Sequence, residues 1–164
     1  MTNQAILDYR RIHPDPNNDD LYNAYVNKLL EILNADYKKW GMRQPWDAYE
    51  NKHISRFPAG CVYWQGNPNP AWISYPRERE NSVQATICYF FESIEKPIRE
   101  ERLRYFVRGI ERALVADHRM GGFCLVSNVI SVVPRGSMIA GNKMVIGATL
   151  EHTAQVRERV NLVL

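Results

Sequence analysis

The side chains of this chain that could do acid–base, nucleophilic or metal chemistry are His13, His53, His118 and His152, together with Cys61, Cys88 and Cys124. No histidine has a second His or Cys at a metal-ligand offset. Asp117-His118-Arg119 is a lone local cluster at an expected helix end, where a histidine already complements the helix dipole. His152 falls in register with an apolar strand face, which suits a core or interface histidine better than a base. Cys124 and His118 could meet in space, yet nothing near them in sequence marks an activated thiolate. The cysteines lie in separate apolar runs without CxxC spacing, the pattern of buried free thiols in a reducing compartment. Asp15, Asn17 and Asp19 match the first, third and fifth positions of a calcium loop. The glycine such a loop needs is Asp20, however, and its closing glutamate is Val26, so a solvated turn and helix cap is expected. Gly121-Gly122 follows a helix, whereas phosphate-cradling glycines sit between a strand and a helix. No catalytic set, metal site or cofactor site is expected, and the chain reads as a non-enzyme.

Two patterns fit binding better than catalysis. Arg104, Arg108 and Arg112 recur at helical spacing opposite the apolar positions Leu103, Phe106, Ile110 and Leu114. Like charges four apart repel by a few tenths of a kcal/mol per pair, roughly, and Glu101 and Glu111 offset some of that. The stripe is either a solvated face or a surface for acidic groups on a neighbouring subunit or for DNA in a channel. Trp72 and Tyr75, with Tyr63 and Trp64, lie near Arg77 and Arg79. That set suits stacking on single-stranded bases, core packing or a protein-binding surface.

These residues sit in a chain of 164 residues, enough for one domain with a real core. Hydrophobic content of 45% and charged content of 24% are those of a globular protein, and a net charge of +3 permits acidic partners without requiring them. No run approaches the length of a membrane helix, and Met1-Thr2-Asn3-Gln4-Ala5 lacks the features of a signal peptide.

Residues 1–19 read as an N-terminal arm, and 20–164 as one domain. Asp19 or Asp20 caps a first helix whose stripe is Val26, Leu29, Leu30, Leu33, Tyr37 and Trp40, ending at Gly41. A long connection at 41–60, with a short helical turn near Trp46 to Glu50, leads to a strand at Cys61 to Trp64. A second long connection at 65–81 precedes a strand from Ser82, with Val83, Ala85, Ile87, Tyr89 and Phe91 on one face. Pro97 opens the second helix, which stops at Gly121-Gly122. Strand Cys124 to Val133 turns at Pro134-Arg135-Gly136-Ser137, and a last strand runs from Lys143 to Arg157. The order α-β-β-α-β-β predicts an α+β fold, with about four antiparallel strands and two main helices packed on one face.

This layout, over roughly residues 20–160, resembles the tail terminator proteins of long-tailed bacteriophages. The motif that carries the resemblance is Ala116-Asp117 at the end of the second helix, then Met120-Gly121-Gly122 and entry into the next strand. The arm and both long connections exceed what a minimal member needs. The resemblance implies a structural virion protein, assembled in the host cytoplasm as a homohexameric ring at the top of the tail. Such a ring caps the tail tube protein, stops its polymerisation and presents a surface to the neck or connector protein. A neck or head-completion adaptor of similar fold is the alternative within that class, and a small nucleic-acid-binding domain is the alternative outside it.

Overall fold

Residues Leu21–Ala35 form helix α1, with Leu21, Tyr25, Val26, Leu29 and Leu33 buried along one face. The helix has no acidic residue in its first turn and no basic residue in its last. At fifteen residues it would be marginal alone, so packing of that apolar face holds it. The computed structural model describes residues 21–35, 37–40, 42, 45–48, 57–66, 71–74, 78–92, 96–140 and 143–159. The expected arm at 1–19, its cap at Asp19 or Asp20, the calcium-like run and both His13 and His53 lie outside them. A turn of 3-10 helix, Tyr37–Trp40, follows α1 where a continuous helix was expected.

The strands are β1 (Ala59–Gly66), β2 (Ala71–Ser74), β3 (Glu78–Glu92), β4 (Val126–Ala140) and β5 (Lys143–Arg159). All named strand pairs are antiparallel, in the order β1-β3-β5-β4, with the short β2 beside β1 on the same side of β3. Helix α2, Lys96–Ala116, carries the chain from β3 to β4, with Pro97 in its first turn. Val83, Ala85, Ile87, Tyr89 and Phe91 of β3 join Ile146, Ala148, Leu150, Ala154 and Val156 of β5 in one core beneath both helices. The α+β architecture, with helices on one face of an antiparallel sheet, is therefore as the periodicity implies.

Several boundaries differ from expectation for physical reasons. β2 and the first residues of β3 fall inside the long connection expected at 65–81, because a four-residue strand is too short to show period two. No helical turn begins at Trp46: Asp47 instead makes a parallel bridge to Cys61. The turn expected at Pro134 to Ser137 is an irregularity within β4, and the strand continues to Ala140. Proline and a bulge are tolerated there because β4 is the outermost strand. α2 ends at Ala116, so Gly121 and Gly122 are not its immediate cap. They shape the return that follows, where Met120, Gly121 and Gly122 have φ of 50°, 66° and 86°. Gly122 donates to the Arg119 carbonyl at 2.9 Å, and Cys124 to the same oxygen at 3.2 Å.

His152 ties α1 to the sheet. The Tyr25 hydroxyl lies 2.8 Å from its Nδ1 and 2.9 Å from its carbonyl oxygen. If the phenol proton goes to the carbonyl, Nδ1 carries hydrogen and donates to the phenol oxygen. Nε2 is then a bare lone pair, and it is buried with no partner. Protonating it would create an unpaired buried donor and a buried charge. Burial accordingly lowers the His152 pKa from 6.5 to about 4. Across that window the unfolded chain holds a proton that the native state rejects. Stability is therefore complete above pH 6.5 and falls as the pH drops toward 4. Urea denaturation at pH 5 should give a stability about 2 kcal/mol below that at pH 7. His152→Gln should remove that part of the difference, and an unchanged slope would exclude His152 as its source.

Candidate interaction surface

Helix α2 carries Lys96, Arg99, Arg102, Arg104, Arg108 and Arg112 against Glu100, Glu101 and Glu111, which gives it a net charge of +3. Leu103, Ile110 and Leu114 anchor it in the core, and Phe106 and Val107 pack at the margin. This stripe is narrow, so much of the helix faces outward. Arg104, Arg108 and Arg112 are all exposed, as their spacing requires. Arg108 pairs with Glu111 at 3.0 Å, an exposed contact worth no more than about 1 kcal/mol. Among the described residues, Arg104 and Arg112 make no ion pair. Among the described residues the repulsion along the stripe is thus only partly relieved.

Two grooves flank this ridge. On one side a groove of about 480 Å³ is lined by Lys39, Arg104, Tyr105, Phe106, Arg108 and Arg112. Tyr105 is 74% exposed there, a large ring in water beside a row of cations. On the other side a groove of about 620 Å³ runs between α2 and β4. Leu103, Val107, Val132, Pro134, Ile146 and Ala148 supply its apolar lining. Arg104, Arg108 and Arg135 stand at its rim with Glu100. Arg135 joins the stripe only through the fold. In sequence it sat in an expected turn, and no local signal linked it to α2.

The two sheet edges are not alike. Beside β1, residues 46 and 47 form a strap: Asp47 donates to the Gly60 carbonyl at 3.3 Å, and Val62 donates to the Asp47 carbonyl at 2.8 Å. Asn34 clasps the strap from α1, accepting from the Trp46 amide at 2.7 Å and donating to its carbonyl at 3.2 Å. The Trp46 ring lies over Gly60, where a β-carbon would collide with it. At β4 the outer side is met only at its start, where Ser127 donates to the His118 carbonyl at 2.7 Å. Beyond that, β4 pairs only with β5 among the described residues. Val126, Ile130, Val133 and Ile139 are exposed along it, Ile139 by 80%. An open edge with exposed apolar side chains invites another chain.

The remaining candidates separate. Trp72 and Arg79 are backbone partners on the β2–β3 ladder, while Tyr75 and Arg77 lie outside the described residues. Cys124 approaches His118 only through its carbonyl, at 3.6 Å, and burial pushes the thiol pKa up, away from a reactive thiolate. Cys61 and Cys88, distant in sequence, are opposite one another on β1 and β3, and all three cysteines are buried. Among the described residues no His, Cys, Asp and Glu side chains group as metal ligands. No helix among them is long and apolar enough to cross a membrane. No protein-family model and no curated protein sequence matches the chain.

If the ridge serves a partner and not the fold, Arg104, Arg108 and Arg112 can be replaced together by serine with little cost. Urea denaturation of the triple variant should agree with the parent within about 0.5 kcal/mol. A loss of several kcal/mol would make the arginines structural.

Proposed function

We propose that this chain is a structural protein of a bacteriophage tail, a terminator that caps the tail tube and joins tail to head. The observation that carries the proposal is the asymmetry of its surface, added to the resemblance in the Ala116 to Gly122 segment and in the element order. Among the described residues, the chain's own strap bridges one sheet edge at Gly60 and Val62, while the other is open and apolar beyond Ser127 and lies beside the arginine ridge. A ring needs two different complementary surfaces on each subunit, so that contacts run head to tail and close. An open edge on one flank and a differently built flank opposite supply that difference.

On this reading the mechanism is steric. A homohexameric ring docks on the last ring of the tail tube protein and covers its growing surface. It then offers a non-matching face to incoming tube subunits and a matching one to the neck or connector protein. The cationic concavity with Lys39, Arg112 and Tyr105 suits polyanionic partners, including DNA passing through a channel. The proposed location is the top of the tail in the virion, with assembly in the host cytoplasm. A neck or head-completion adaptor would share the ring and the joining role but would not stop tube growth.

That difference sets the test. Light scattering should give a mass near six subunits for the chain alone or with tube protein, and added chain should shorten tubes polymerised in vitro. A persistent monomer that leaves tube length unchanged would refute the proposal. A ring that binds connector but leaves tube length unchanged would favour the adaptor.

A further inference from the structure

The groove between α2 and β4 combines two properties that a merely solvated surface does not need. Its floor is apolar, with Val107, Pro134 and Ile146 among the lining residues, and its rim carries Arg104, Arg108 and Arg135. Among the described residues, only Glu100 opposes them on that rim. At about 620 Å³ it falls within the size range of pockets that enclose ligands, but it is an open groove lined by α2 and β4 and not a closed cavity. It extends along α2 from Glu100 to Arg108, a rise of roughly 12 Å, and along β4 from Val132 to Gly136, a similar length. A compact small molecule would leave much of such a groove wet. A stretch of polypeptide would fill it.

The charge pattern selects the kind of polypeptide. Three guanidinium groups around an apolar floor complement carboxylates flanking apolar side chains. Arginine suits this role because its planar fork pairs with carboxylates while its stem packs on apolar atoms. We infer that the α2–β4 groove is a docking site for an acidic segment of a partner protein, one that carries apolar anchors between its Asp or Glu residues. Apolar anchors of the segment enter beside Val107 and Ile146, and its carboxylates meet Arg104, Arg108 and Arg135. Unlike subunit pairing along the open edge, this contact does not depend on ring formation or on a role in a tail.

The probe is a short fluorescein-labelled peptide of alternating leucine and glutamate, followed by fluorescence anisotropy with the full chain. Two companion peptides replace glutamate by lysine or leucine by serine. The leucine–glutamate peptide should bind and weaken as salt rises, while both companions bind at least about tenfold more weakly. Arg104→Ser combined with Arg135→Ser should weaken binding about tenfold, and Val107→Asp should do the same by removing the apolar wall. Circular dichroism and urea denaturation must show both variants folded. If Val107→Asp fails to fold, Val107→Ser replaces it. Equal binding of the serine–glutamate peptide would reduce the site to simple charge attraction and overturn the inference. So would unchanged binding by the folded arginine variant, or exclusion of the peptide because a second copy of the chain already fills the groove.

Discussion

The antiparallel ladder between β3 and β5 is the constraint on which the rest of the structure depends. Every residue from Glu78 to Glu92 has a partner on β5, and that register is fixed in two ways. A slip of β3 by one residue would carry Val83, Ile87, Tyr89 and their neighbours on that strand to the opposite face, each losing about 2 kcal/mol of burial. A slip of two would keep the faces, so burial alone does not forbid it. It would, however, move Phe90 from opposite Gly147, where a β-carbon would meet its ring, to opposite Val145 or Thr149.

With that ladder set, the other elements have little freedom. α1 is tied to β5 through Tyr25 and His152, at the cost of a buried imidazole that disfavours a second proton. The strap at 46–47 bridges the β1 edge at Gly60 and Val62, held by Asn34 and the space that Gly60 leaves for Trp46. α2 must cross from β3 to β4 over the face that the apolar residues define, which turns its arginines outward. β4 is then the last strand added, and nothing in the described chain covers its outer side beyond Ser127. The groove and the open edge are therefore consequences of one topology.

Strong periodicity made most of this fold legible. The alternation from Val83 to Phe91 and from Ile146 to Val156 marks the two central strands, and the spacing of Leu103, Ile110 and Leu114 marks α2 with its outward arginines. What escaped was set by tertiary context. β2 is too short for a pattern, and Pro134-Arg135-Gly136-Ser137 has the composition of a turn but lies in an edge strand that absorbs it. Trp46 resembles a loop aromatic until Gly60 and Asn34 give it a seat. The ridge could be read along one helix, but Lys39 and Arg135 reach it from elsewhere in the chain. No local signal announced them.

His152 and Cys124 are buried with their charged forms disfavoured, and His118 stands exposed at the α2 return. The surface that the fold leaves for a partner is the α2 ridge with the β4 edge beside it. Hydrogen–deuterium exchange on the chain in dilute and in assembled form tests that surface most directly. The β3 and β5 amides should be protected in both states, while those of β4 beyond Ser127 and the side chains' neighbours on α2 should gain protection on assembly. Assembly that leaves β4 and α2 exchange unchanged, with new protection only elsewhere, would contradict the account.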